Sequence, residues 1–223
     1  YLREKMKKAG VKARFIRGGS TKYLVEMLEE GLTDYILDGQ TFDLEGVRSM
    51  RENPGHVNTS PFTSYNYHGK GNFASLVDAA VLGATEVDLN FNANVVTHSD
   101  GYLLHGIGGW QNCLFSKCTI LAIPSFRDRI PVIVDEVTTL VGPGELIDVI
   151  VTERGIAINP KRKDLLKAVK GSSLPIRTIK EIYDEVVELC GVPKKPKVKK
   201  NKVVAVVKWV DGTLLDSVFQ KVS

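Results

Sequence analysis

Cysteine is scarce in this chain. Three cysteines in 223 residues, Cys113, Cys118 and Cys190, do not make a disulfide framework, and an odd count with no secretory signal fits a reducing compartment. No apolar run approaches the roughly 20 residues that cross a bilayer, so a membrane-spanning helix is not expected. The opening is basic and has no apolar leader, which points to the cytoplasm. It begins at Tyr1 rather than Met, as a fragment of a longer polypeptide would. Histidine is rare too. His56, His68, His98 and His105 are scattered, none is paired at i, i+4, and none completes a metal site with the cysteines, so no metal is expected. Phosphate-binding G-x-x-x-x-G-K-[ST] and nucleophile-elbow G-x-S-x-G patterns are both missing. Gly69-Lys-Gly71-Asn-Phe-Ala74 matches a dinucleotide loop only loosely and follows a polar loop rather than a strand, so no dinucleotide site is expected.

What is present begins with charge. The net charge of +4 is unevenly spread: residues 1–17 carry +6, residues 191–202 carry +6, residues 203–223 balance, and residues 18–190 are left at −8. The basic character is peripheral, which argues against a nucleic-acid face on the body of the protein. The run Lys194–Lys202 reads as a solvated linker, with docking of an acidic partner as the other reading. Residues 1–17 read as the end of a preceding domain or a linker, and residues 18–223 as one α/β domain.

With 43% hydrophobic residues there is ample material for a core. Spacing predicts helices from Ser20 or Thr21 to Glu30, from Asp43 to Arg51, and over 162–169 and 177–190. Strands are expected over 35–37, 79–82, 87–91, 119–123, 131–137, 146–151 and 156–158. Residues 56–72 read as a long polar loop. A hairpin is expected over 203–220, turning at Asp211-Gly212. Mixed helix and strand without an internal repeat gives an α/β fold.

The most informative stretch runs from Glu86 to Gly109. Asn90, Asn92 and Asn94 alternate with Leu89, Phe91 and Ala93, so in a strand their amides would share one face. Gly106-Ile107-Gly108-Gly109 follows, a loop able to expose backbone N–H groups. Amides beside bare backbone are what stabilises a carbonyl oxygen as it becomes an anion. The same residues would also serve as the wet face of an edge strand and a tight turn. Trp110 would act either as a wall of the site or as core.

Four segments carry a resemblance: Gly19–Glu26 (GSTKYLVE), Asp38–Ser49 (DGQTFDLEGVRS), Leu82–Asn92 (LGATEVDLNFN) and Val151–Pro160 (VTERGIAINP). In this order they resemble the citrate lyase alpha subunit, over nearly all of the chain and as its C-terminal half. The resemblance implies a three-layer CoA-transferase-like α/β domain with a mixed sheet and a C-terminal β-hairpin. It implies transfer of an acyl-carrier-protein thioester from acetate to citrate. It also implies, as partners, a beta subunit, an acyl carrier with a CoA-like prosthetic group, and the N-terminal half of the same polypeptide. No permanently bound cofactor is implied, and acetyl-CoA would serve as a surrogate. Many CoA-transferases attack the thioester with a glutamate. The matching strand end here reads Asp38-Gly39-Gln40, so the resemblance implies direct attack by citrate and a mixed anhydride. Asn94, Gly106, Gly108 and Gly109 align with residues near the thioester carbonyl, and Gly106, Ile107 and Gly108 with the approach of the CoA-like group. Asp38, Gln40, Glu86, Asn90 and Asn92 are the expected substrate-side residues. The alternatives are a non-catalytic half that assembles with the beta subunit and carrier, and a relative acting on another carboxylate such as citramalate.

Overall fold

The computed structural model describes residues 1–60 and 73–222. The expectations placed on His68, on Gly69-Lys-Gly71 and on most of the loop over 56–72 lie outside those residues. The chain forms two compact units, Tyr1–Asn66 and Tyr67–Ser223.

The first unit is a three-stranded parallel sheet in the order β1 (Ala13–Ser20), β2 (Thr33–Thr41), β3 (His56–Asn58), with helices α1 (Leu2–Ala9), α2 (Lys22–Glu29) and α3 (Leu44–Glu52). Residues 1–17 are therefore not set apart as a linker: Ala13–Arg17 pair with Thr33–Leu37, and Arg3 bonds Glu26 of α2 and Glu30 just after it. His56 to Asn58 open the polar segment as a strand, not a loop. Asp43 serves both helix starts, because its carboxylate accepts the N–H of Gly46 (2.8 Å) in α3 and that of Lys22 (2.7 Å) in α2.

The second unit holds small sheets. One is β10 (Ile133–Val134), β5 (Glu86–Asp88), β6 (Ala93–Asn94), and another is β12 (Gly155–Ile158), β11 (Val149–Thr152), β7 (Thr119–Ala122), β4 (Ala80–Leu82). What the sequence suggested as one strand over 131–137 is split: Pro131 belongs to β9 (Ile130–Pro131), which pairs with β8 (Phe126–Arg127), and only Ile133–Val134 form β10. Helices α4 (Trp110–Cys113), α5 (Lys163–Ala168) and α6 (Ile179–Cys190) follow. Thr178 and Glu181 close a capping box on α6, which buries Ile179, Ile182 and Val186 against a core containing Val87, Leu121, Ile133 and Ile150. Arg154 and Arg177 both bond Glu185, tying α6 to the β11–β12 turn.

The hairpin is longer than expected. β13 (Val198–Lys208) pairs antiparallel with β14 (Leu214–Lys221), so Val198–Lys202 belong to a strand and the linker is confined to the residues before it. Lysine stems tolerate an outer strand because their heads stay in water.

Candidate active site

The three asparagines do not form a row. β5 stops at Asp88 and the chain turns back on itself to reach β6, with Phe91 at φ 66°. Asp88 makes that turn: Oδ1 accepts the N–H groups of Asn90 (2.9 Å) and Asn92 (3.0 Å), and Oδ2 accepts Asn92 Nδ2 (3.0 Å). A turn breaks the period-2 alternation on which the shared face depended. Asn90 is exposed, Asn92 is half-buried and accepts the Gly144 N–H, and Asn94 is fully buried.

Asn94 is the centre of a polar network. Its Nδ2 donates to Glu86 Oε2 (2.8 Å), Thr97 Oγ1 (2.8 Å) and the Thr97 carbonyl (3.1 Å). Its Oδ1 accepts the N–H groups of Val96 and Thr97, both at 3.1 Å. Both amide hydrogens are thus committed inside the fold, and the side chain has no donor left for an oxyanion in this arrangement. Glu86, 1% exposed, also accepts Thr138 N–H (2.7 Å) and Thr138 Oγ1 (2.9 Å). Among the described residues the buried carboxylate forms no ion pair, and hydrogen bonds are its direct contacts. A small cavity opens next to it, lined among others by Ser99, Asp135, Thr138 and Lys195.

The glycine loop is different. Among the described residues the backbone N–H groups of Gly106, Ile107, Gly108 and Gly109 find no acceptor within the chain. The three glycines are exposed, Gly108 sits at φ 60°, and the half-buried Ile107 anchors the loop on the core. Trp110 fixes the far end. Its Nε1 donates to the Gly83 carbonyl (2.8 Å), and its ring covers Gly142, where a Cβ would come within 2.6 Å of it. Gly142 in turn pairs with Ala93, the neighbour of Asn94. One segment, Val141–Gly142, therefore holds both β6 and the anchor of the loop. Trp110 is a half-buried structural wall.

Asp38 and Gln40 lie in the first unit. Asp38 is fully buried and accepts from Ser20 Oγ (2.6 Å), Thr41 Oγ1 (2.6 Å) and the Gln40 N–H (2.8 Å), with His56 Nε2 at 3.3 Å. Burial, the largest influence, pushes its carboxyl up. The donors from Ser20, Thr41, Gln40 and His56 together outweigh it and hold the carboxyl below the usual carboxylate range. An acid so completely bonded staples the strand end to its neighbours. The Gln40 side chain is exposed. No cluster of three or more metal-ligating side chains is found among the described residues, and no described helix is long and apolar enough to cross a membrane.

The family model described as citrate lyase, alpha subunit (CitF) matches residues 1–222. The chain belongs to the citrate lyase alpha subunit family. It is 38% identical to the citrate lyase alpha chain of Haemophilus influenzae over 99% of its own length and 44% of that protein's. Against the alpha chain of Klebsiella pneumoniae the identity is also 38%, over 99% and 43%. The chain thus spans somewhat under half the length of the curated relatives it matches. A crystal structure of a Streptococcus mutans citrate lyase alpha subunit in complex with citrate superposes with a TM-score of 0.96 at 39% identity, covering 100% of this chain and 44% of that one. RipA from Yersinia pestis (14%, TM-score 0.54, 79% of this chain and 43% of that one) and a malonate decarboxylase alpha subunit from Acinetobacter baumannii (15%, 0.52, 85% and 50%) share the fold alone.

In this citrate lyase alpha family chain, sequence reading missed the threonines that lock the centre. Thr97 Oγ1 lies 2.8 Å from Thr139 Oγ1, and Thr138 binds Glu86 twice. A hydroxyl ending the apolar run Val95-Val96-Thr97 was the available signal. His56, one of the scattered histidines, is a buried strand residue between Asp38 and Ser49 Oγ (2.9 Å).

Proposed function

We propose that the chain is part of the acyl-exchange subunit of citrate lyase, moving an acyl-carrier-protein thioester from acetate to citrate in the cytoplasm. One observation carries the reading beyond family membership: among the described residues, four consecutive backbone N–H groups, Gly106 to Gly109, are left without acceptors in a loop braced by Ile107 and Trp110. Such donors are suited to a carbonyl oxygen that gains charge.

In this reading a citrate carboxylate oxygen attacks the acetyl thioester carbonyl. The C–S bond breaks, the carrier thiolate leaves, and a mixed anhydride of acetate and citrate remains. The thiolate then attacks the citryl carbonyl, the anhydride C–O bond breaks, and acetate departs with citryl-carrier formed. No enzyme nucleophile is needed, in keeping with Asp38-Gly39-Gln40 where a glutamate would stand. The loop supplies charge stabilisation at both tetrahedral steps. Gly106, Ile107 and Gly108 face the CoA-like group, and Gln40 is the better candidate than Asp38 for the citrate end. Glu86, Asn92 and Asn94 position this region rather than touch substrate. The same reading makes the fold a three-layer CoA-transferase-like half. It assigns the beta subunit, the acyl carrier and the remainder of the polypeptide as partners.

The test separates the N–H from the space it occupies. At Gly109 a Cβ would meet open space and φ is −88°, so alanine fits and proline needs only a backbone adjustment of roughly 10°. In the intact subunit, with acetyl-CoA and labelled citrate, Gly109→Ala should exchange acyl groups normally. Gly109→Pro, which lacks the N–H, should fall about 10²-fold. Equal rates in the two variants would remove the loop from the chemistry. Asn94→Ala cannot make this distinction, since the residue holds the fold together.

A further inference from the structure

Two segments of the chain are equally basic, and the structure treats them differently. In the first, Arg3, Lys7 and Lys12 pair with Glu26, Glu30 and Asp34, and Lys5, Lys8 and Arg14 form no ion pair among the described residues. In the second, Lys195 pairs with Glu136 (2.6 Å), but Lys194, Lys197, Lys199, Lys200 and Lys202 form no ion pair among the described residues. The acids of the hairpin are engaged elsewhere. Asp216 accepts the N–H groups of Leu140 and Ser217, and Asp211 accepts that of Thr213. The positive charge of this arm is uncompensated, a field that attracts an acidic partner.

Lys199, Lys200 and Lys202 sit on an edge strand of a two-stranded sheet, and its outer edge pairs with nothing among the described residues. Lys199 faces Gln220, and the next rung is Val203 with Phe219, so Lys200, Asn201 and Lys202 bulge out of the ladder. Edge lysines and bulges also guard a strand against self-association. That role leaves Val203, Val204 and Val206 unexplained, since each is about half exposed (50%, 53% and 50%) beside the lysines. Apolar side chains bordered by charge are the anatomy of a protein–protein contact. A single-stranded nucleic acid would want aromatic stacking partners, and the exposed side chains of this strand are valines, lysines and Asn201, none aromatic.

We infer that the outer edge of β13, Lys199–Val206, docks an acidic protein face with apolar side chains at its centre. Resting on the functional reading above, the occupant is the acyl carrier. The lysines speed and orient its arrival, and the valines supply the contact it settles on.

The test compares the intact subunit carrying Lys199→Gln/Lys200→Gln/Lys202→Gln with the unmutated protein. A control carries Lys163→Gln/Lys167→Gln/Lys170→Gln, exposed lysines of the same unit with the same charge removed. Carrier binding is titrated at low and at physiological salt, and exchange on free acetyl-CoA is measured alongside. The hairpin variant should bind carrier about tenfold more weakly at low salt and lose most of its salt dependence, with acetyl-CoA exchange unchanged. The control should match the unmutated protein. Carrier affinity that is undiminished in the hairpin variant, or diminished equally in the control, overturns the docking surface. So does a variant that loses binding to single-stranded RNA while keeping carrier. Absence of acetyl-CoA exchange in the unmutated protein overturns the functional reading alone, and the binding titration still decides the docking surface.

Discussion

Asn94 and Glu86 meet across the β5–β6 ladder, with the amide nitrogen 2.8 Å from the carboxylate, both side chains shut away from solvent. Neither is expendable to the other. The amide satisfies a buried charge, and the charge fixes which way the amide points.

From this pairing, Asn94→Ala should destabilise the protein by about 3 kcal/mol, because it strips a partner from Glu86 and leaves the Val96 and Thr97 N–H groups unpaired. Asn94→Asp should cost more, since it sets a second carboxylate against Glu86, and acidification should relieve part of that cost. Urea unfolding of the intact subunit at two pH values checks both. An Asn94→Ala variant as stable as the unmutated protein would refute the network described here.

Gly144 lies against the turn that Asp88 builds. A Cβ there would come within 1.9 Å of the Asn90 carbonyl oxygen, a backbone atom that cannot step aside. Gly144→Ala should therefore cost about 3 kcal/mol by forcing the two segments apart. The thermal midpoint should fall accordingly, whereas Gly106→Ala, with open space around it, should leave it unchanged.

Asp38 gives a pH signature to the first unit. Its carboxyl sits below its unfolded value, so the native state releases that proton more readily than the unfolded chain. The stability it contributes is fully present above the unfolded pKa of about 3.9 and is lost as pH falls through the lower native value. Asp38→Asn should cost about 3 kcal/mol at pH 7, and the gap between variant and unmutated protein should narrow below about pH 4. A gap that stays constant down to pH 2 would show that the charge itself contributes nothing. Ser20, Thr41 and His56 face the carboxylate, and Ser20→Ala should narrow the same gap from the other side.

Much of the molecule was legible in the residues. The α6 stripe Ile179, Ile182 and Val186, the cap at Asp43, the turn at Asp211-Gly212 and the family motifs all act within a few residues of themselves, and local spacing reports local physics. That Gly106–Gly109 form an exposed loop was also legible, because only composition was needed.

Tertiary structure alone decided what the asparagines do and where the lysines stand. The partners of Glu86 are 8 and 52 residues away, and Thr97 reaches Thr139 across 42. Alternating Asn and apolar residues satisfy both a strand and a turn closed by Asp88, and the choice falls to the Thr138 N–H and Gly144, which no local window contains. Lys199 to Lys202 have poor strand propensity and nothing nearby to pair with. They are carried in the strand because Gln220 and Phe219, about 20 residues later, pair with Lys199 and Val203 on either side of the bulge. A sequence states which groups must be satisfied, and folding brings the distant groups that satisfy them.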